Sequence, residues 1–288
     1  QSMINEGLDS IEKKGVNPQE IKSGIDKAVA RIVEKLTEMA IDVNDSMLKS
    51  VATISANNDI ELGEKIGDAY AKMGKSGVLT IEDSNTFETY VKIVEGSEMI
   101  KGFANEKFAT NFEKMLVEYE NPLILVADYE IKTLKELTPL MKLMHEAGID
   151  FKVTPLIIIA RGFEGEPYNT MLYSKCEGGM KFCLIQAPTA YQKEALMDVA
   201  AITGAKLISE DNGIKVEHAV VECLGTCKKI VSSRTSTTFI EGKGKKENIE
   251  TIKKQIAKQI EDTDNSQLKE ILEKRSARLS GSIGVIYD

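Results

Sequence analysis

Between Leu123 and Ser209 the chain switches repeatedly between two hydrophobic periods, and this alternation restricts the available folds more than any other feature. Leu123 to Ala127, Leu156 to Ala160 and Lys181 to Ile185 read as strands. Helical stretches separate them, from about Glu130 to Ala147, from Glu166 to about Ser174, and from Gln192 to Ile202. Lys206 to Ser209 reads as one more strand. Strands alternating with helices predict a largely parallel sheet covered on both faces. Lys229 to Val231 and Thr237 to Ile240 are also strand-like. Two amphipathic helices follow, one carrying Ile249, Ile252, Ile256 and Ile260, the other Leu268, Ile271, Leu272 and Leu279.

The first third is helical in pattern. Asn17-Pro18-Gln19-Glu20 combines a capping side chain, a proline at the first helical position and a nearby acid. Behind it Ile21, Ile25, Val29, Ile32, Val33 and Leu36 form one apolar stripe that must pack on something. A short helix is expected from Asn44 or Asp45, carrying Met47, Leu48, Val51 and Ile54. Another, with Leu62, Ile66, Ala69, Tyr70 and Met73, should stop at Gly74. Val78 to Ile81 and Phe87 to Val94 read as strands around a turn at Asp83-Ser84-Asn85.

Charge and length exclude several classes of function. The 37 basic and 45 acidic side chains give a net charge of −8, which argues against a nucleic-acid or anionic-membrane partner. The longest apolar run, Pro155 to Ala160, is too short to span a bilayer, and the first residues do not read as a signal sequence. Cys176, Cys183, Cys223 and Cys227 read as ordinary thiols of a reducing compartment. A metal site at Cys223, Cys227 and His218 is the sharper alternative, and ordinary buried thiols are preferred.

Candidate chemistry is sparse. Gly74-Lys75-Ser76 lacks the upstream glycine and preceding strand of a phosphate loop, with Ala69 where that glycine belongs. Gly242-Lys243-Gly244-Lys245 lacks the third glycine of a dinucleotide fingerprint and reads as a turn. Asp59, Glu61, Glu82 and Asp83 read as solvated acids, and His145 as a helix-edge residue. No nucleophile has a local catalytic signature. The apolar excess on two sheet-covering helices is more informative. Leu134, Leu137, Leu140, Met141 and Met144 lie on one, and Tyr168, Met171, Leu172 and Tyr173 on the next. Core packing is the usual meaning of such stripes. Methionines and tyrosines also suit a surface that accepts many partners.

Gly24 to Val29, Val51-Ala52-Thr53-Ile54-Ser55-Ala56-Asn57-Asn58-Asp59, Gly74 to Val78, Val94-Glu95-Gly96, Glu164-Gly165-Glu166, Leu207 to Glu210, and Thr237 to Ile240 with Gly242 resemble blocks of the GroEL-type (group I) chaperonins. The similarity covers essentially the whole chain in order. It implies an α/β apical domain, a sheet flanked by helices, with an α-rich intermediate-domain segment and residual equatorial helices. The implied boundaries are 1–37 equatorial, 38–94 outgoing intermediate, 95–282 apical, and 283–288 the start of the returning intermediate segment. The family's phosphate loop would lie before Gln1 and its catalytic aspartate beyond Asp288. The chain then reads as a piece of an ATP-driven folding machine that does not hydrolyse ATP alone.

The resemblance also implies the sites. Non-native polypeptide, and then a GroES-like co-chaperonin, would bind Phe103, Asn105 and Phe108 in an extended segment. Leu134, Thr138, Met141 and Met144 would contribute from the first helix, and Tyr168, Leu172 and Tyr173 from the second. Lys107 replaces a family aromatic and Thr138 a leucine, with Leu140, Met144 or the tyrosines as candidates to compensate. Ile54 matches a position touching the nucleotide base. Lys101 stands where the family has an arginine that pairs with the aspartate matching Asp59, an interdomain salt bridge. No cofactor or metal is expected in this chain; ATP and Mg belong to the parent subunit. The expected partners are non-native polypeptides, the co-chaperonin and other subunits of a ring. The expected location is a bacterial or phage cytoplasm or an organelle matrix such as the mitochondrial one. A freestanding α/β ligand-binding or enzymatic domain is the alternative.

Overall fold

The start signal at Asn17 opens a helix in the structure, a computed structural model that describes residues 2–41, 44, 47–73, 78–82, 89–189, 191–209, 211, 213, 215–279 and 281–287. The chain divides into two units, Gln1–Leu48 and Lys49–Asp288. In the first unit α1 (Ser2–Lys14) ends at Gly15, whose φ of +62° suits glycine. Then α2 (Pro18–Met39) begins where the Asn17 side-chain oxygen accepts the Gln19 N–H at 2.9 Å. No residue of α2 is buried, and Val29, Ile32, Val33 and Leu36 are exposed. The stripe expected to pack therefore stays uncovered here.

The second unit opens with α3, which starts one residue earlier (Leu48–Ser55), and α4 (Ile60–Met73). Asn44 accepts the Met47 N–H in a turn ahead of α3, so the helix starts at Leu48, later than the expected start at Asn44 or Asp45; the stop at Gly74, the Gly74-Lys75-Ser76 motif and the turn near Ser84 lie outside the described residues. Two glycines bring α4 against α3. A Cβ on Gly63 would stand 2.4 Å from the Thr53 Cα, and one on Gly67 2.8 Å from the Lys49 Cα. Strands β1 (Val78–Glu82), β2 (Tyr90–Met99), β3 (Val117–Glu120) and β4 (Leu123–Ile131) follow, then α5 (Leu134–Glu146), β5 (Leu156–Phe163) and α6 (Gly165–Cys176). The chain continues through β6 (Phe182–Gln186), α7 (Gln192–Thr203), β7 (Gly225–Ser232), β8 (Thr237–Gly242), α8 (Lys246–Glu261), α9 (Ser266–Leu279) and β9 (Ser282–Tyr287).

These strands join in the order β1-β9-β2-β8-β7-β4-β5-β6, with β3 on β7. The strands that alternate with helices, β4-β5-β6, are parallel as expected, while the sheet as a whole is mixed. Only β4-β5-β6 and β1-β9 are parallel pairs among the described residues. The short turn from Ser233 to Ser236 forces β7 and β8 antiparallel, because a parallel return needs a long crossover. Lys206 to Ser209 makes one bridge, Ile208 to Ala127, and no strand. Ile124–Ala127, Ile157–Ala160 and Phe182–Ile185 are buried without a break, so that part of the sheet is covered on both faces. Leu137, Leu140 and Met144 of α5, Met171 of α6 and Leu196 of α7 complete this core.

Candidate functional site

Local sequence chemistry fixes where α5 and α6 start. A Glu136 carboxylate oxygen accepts the Thr133 N–H at 2.8 Å, a capping box that starts α5 four residues later than its apolar period alone implies. Lys132 bridges Glu130 at 3.7 Å and Glu164 at 3.2 Å, and the hydrogen bond to Glu164 holds its ammonium pKa above the usual lysine range. Glu166 in the first turn of α6 accepts the Leu134 N–H at 3.4 Å. These contacts tie the starts of the two helices together.

A cleft of about 380 Å³ lies between them. Leu134, Thr138 and Met141 line it from α5, and Thr170, Met171 and Ser174 from α6. Buried Met171 forms its floor, while Thr170 and Ser174 are small enough to leave the space open. The Thr138 hydroxyl donates to the Leu134 carbonyl at 2.8 Å. With that hydroxyl engaged on the helix, the methyl is what Thr138 offers to an occupant. Lys142 stands at the rim, 3.8 Å from Glu146. Half-buried Leu172 and Tyr173, 69% exposed, extend apolar surface along α6.

The structure sorts the sequence-predicted residues into different places. Leu134, Thr138 and Met141 are in the cleft, and Tyr173 is out in solvent. Phe103, Phe108 and Met144 are buried and do not line it. The reason is edge pairing. Phe103 bridges to Ile185, and the Ala104 N–H donates to the Leu184 carbonyl at 2.8 Å, laying this segment along β6. Asn105 caps a turn by accepting the Lys107 N–H, and Lys107 itself is exposed. Tyr168 braces α6 on the segment, its hydroxyl 3.4 Å from the Ala104 carbonyl and its ring edge-on to Phe108 at 6.5 Å. Leu140, like Met144, is buried and cannot compensate for the polar replacements. Thr170 and Ser174 are not apolar and so escape the hydrophobic pattern; their i, i+4 spacing on α6 is the signal that marks them.

The remaining candidates resolve separately. Ile54 is 70% exposed on α3. Asp59 caps α4, accepting the Leu62 N–H at 3.0 Å, and among the described residues no ion pair joins it to Lys101. Glu61 pairs with Lys65 at 2.7 Å. Gly242 and Gly244 press against the C-terminal end of α7, and the Gly244 N–H donates to the Ile202 carbonyl at 2.9 Å. That glycine pair is a packing turn. Cys183, Cys223 and Cys227 are buried, and burial pushes Cys227 up to about 12 and Cys183 higher still, whereas Cys176 is exposed at the end of α6. Among the described residues no group of three or more His, Cys, Asp or Glu side chains converges on a metal position. No helix among them is long and apolar enough to cross a membrane. A model of the TCP-1/cpn60 chaperonin family matches residues 1–148, just over half of the 288 and extending through α5.

Proposed function

The chain belongs to the TCP-1/cpn60 chaperonin family, and so to the protein-folding chaperones; from that premise we propose that the cleft between α5 and α6 captures non-native polypeptide. The observation that carries this reading is uncovered apolar surface in one place. Thr138 presents a methyl and Met141 a flexible thioether over the Met171 floor, with Tyr173 standing free beside them. Such a wall recognises an amphipathic segment without reading its sequence.

Magnitudes make a single cleft weak. An amphipathic segment removing roughly 250 Å² of apolar surface gains about 6 kcal/mol. Lost freedom on association costs about 4–15 kcal/mol, which cancels most or all of that gain. A ring of such clefts recovers affinity through effective concentration, so other subunits are part of the proposal. In the intact subunit, ATP with Mg, held near the position matched by Ile54, drives release. A GroES-like co-chaperonin competes for the same cleft. Residues 95–282 act as the apical domain, 38–94 as the outgoing intermediate segment and 1–37 as equatorial helices. The pairing of β9 with β1 and β2 supports placing 283–288 beside the outgoing segment. Asp59 and Lys101 meet only in another arrangement of the domains.

A fluorophore on Cys176, the one exposed thiol among the described residues, tests this directly. An unfolded client is expected to change its signal, and a co-chaperonin loop peptide to displace that client. Simultaneous, independent binding of client and peptide would refute a shared cleft.

A further inference from the structure

A second and larger cavity, about 650 Å³, lies between α7, α8, α9 and strand β2, within the size range of small-molecule sites. Its walls are mostly apolar, with Met99, Val199, Ile202, Phe239, Leu272 and Leu279 among them. Asp198 of α7 and Arg275 of α9 close one side through a bidentate pair, both contacts at 2.7 Å. That pair neutralises itself. Lys274 is likewise engaged, 2.6 Å from Glu270.

The other charges do not balance. Glu98, Glu194 and Asp262 all line the cavity, and among the described residues no cation stands within ion-pair distance of them. Arg278 is the remaining cation, and it sits in the last turn of α9, where the negative helix end already favours it. Burial, with a smaller contribution from Glu194 one turn away, raises the Asp198 pKa against the pull of Arg275. The cavity thus combines an apolar interior with a net negative rim.

We infer that this cavity binds an amphipathic cation, a small organic ammonium whose apolar body fills the interior while its charge meets Glu98 and Glu194. This site is separate from the α5–α6 cleft and does not depend on its function. Octyltrimethylammonium below its micellar concentration is a suitable probe, with octanoate and octanol as charge controls of equal tail length. Calorimetric titration of the full chain is expected to show saturable binding of the cation, with octanol weaker and octanoate weakest. Exchanging both carboxylates, in Glu98→Gln with Glu194→Gln, should weaken the cation about fivefold and leave octanol unchanged. Ile271→Lys, at a partly exposed lining position, should remove cation binding without altering the melting temperature. Equal affinity for octanoate, no saturable binding of the cation, or an unchanged affinity in the double variant would each overturn the inference.

Discussion

Thr138 offers the sharpest single-residue test of the cleft, because its two functional atoms make opposite predictions. Its hydroxyl is 2.8 Å from the Leu134 carbonyl, so an occupant should meet the methyl. Thr138→Ser deletes that methyl and keeps the hydroxyl. Losing one buried methyl-sized group costs about 0.8 kcal/mol, or roughly a fourfold weaker complex with an amphipathic peptide. Thr138→Val replaces the hydroxyl with a second methyl of similar size. Leu134 keeps its own helical N–H donor, so no carbonyl is stranded, and binding should hold or improve by up to about fourfold. Threonine and valine have similar helix propensity, so both melting temperatures should lie close to that of the parent chain. Fluorescence anisotropy of a labelled peptide against each variant measures the series. Weaker binding by Thr138→Val with no change in Thr138→Ser would show that the hydroxyl makes the contact, and the apolar-cleft reasoning would fail.

Three further outcomes follow from the packing. Gly63→Ala should destabilise the α3–α4 crossing by about 1–3 kcal/mol, since the new Cβ has only 2.4 Å to the Thr53 Cα; Gly24→Ala, with nothing within 4 Å, should be neutral or slightly stabilising in the same thermal melts. Arg275→Leu leaves the Asp198 carboxylate buried without its guanidinium and should cost about 3–5 kcal/mol near pH 7. Burial already raises the Asp198 pKa, and a raised carboxylate stabilises the fold only below it, so this deficit should shrink as pH falls through the carboxylate range in chemical denaturation. Thiol titration with an aromatic disulfide should find Cys176 fast, while Cys183 and Cys227 react only on unfolding; fast reaction of Cys183 and Cys227 in the folded chain would contradict the burial that raises the pKa of those two.

The sequence is legible where burial is complete and local rules decide. Strands β4, β5 and β6 are visible because their residues are buried on both faces, which leaves continuous apolar runs. Asn17 marks α2 because capping is a short-range interaction. Strand direction is not local. The antiparallel β7–β8 pair and the return of β9 onto β1 and β2 depend on connections and distant partners, and β3 is only four residues long. Within the cleft, periodicity groups Leu140, Met141 and Met144 together, yet one step around the helix separates buried Leu140 from cleft-lining Met141. Phe103 and Phe108 carry a binding role by resemblance, but pairing of their segment along β6 seals them inside. Thr170 and Ser174 matter by being small, a role that no apolar pattern reports.

Capture by the α5–α6 cleft is tested most directly by comparing the parent chain with Met141→Glu combined with Tyr173→Glu. Both side chains reach the surface, so the variant should melt at the same temperature. The measurement is the affinity of each protein for a chemically unfolded client, followed by anisotropy at matched concentration. Loss of client binding with an unchanged melting temperature is the expected result. Equal affinity in parent and variant would show that non-native chains are held elsewhere.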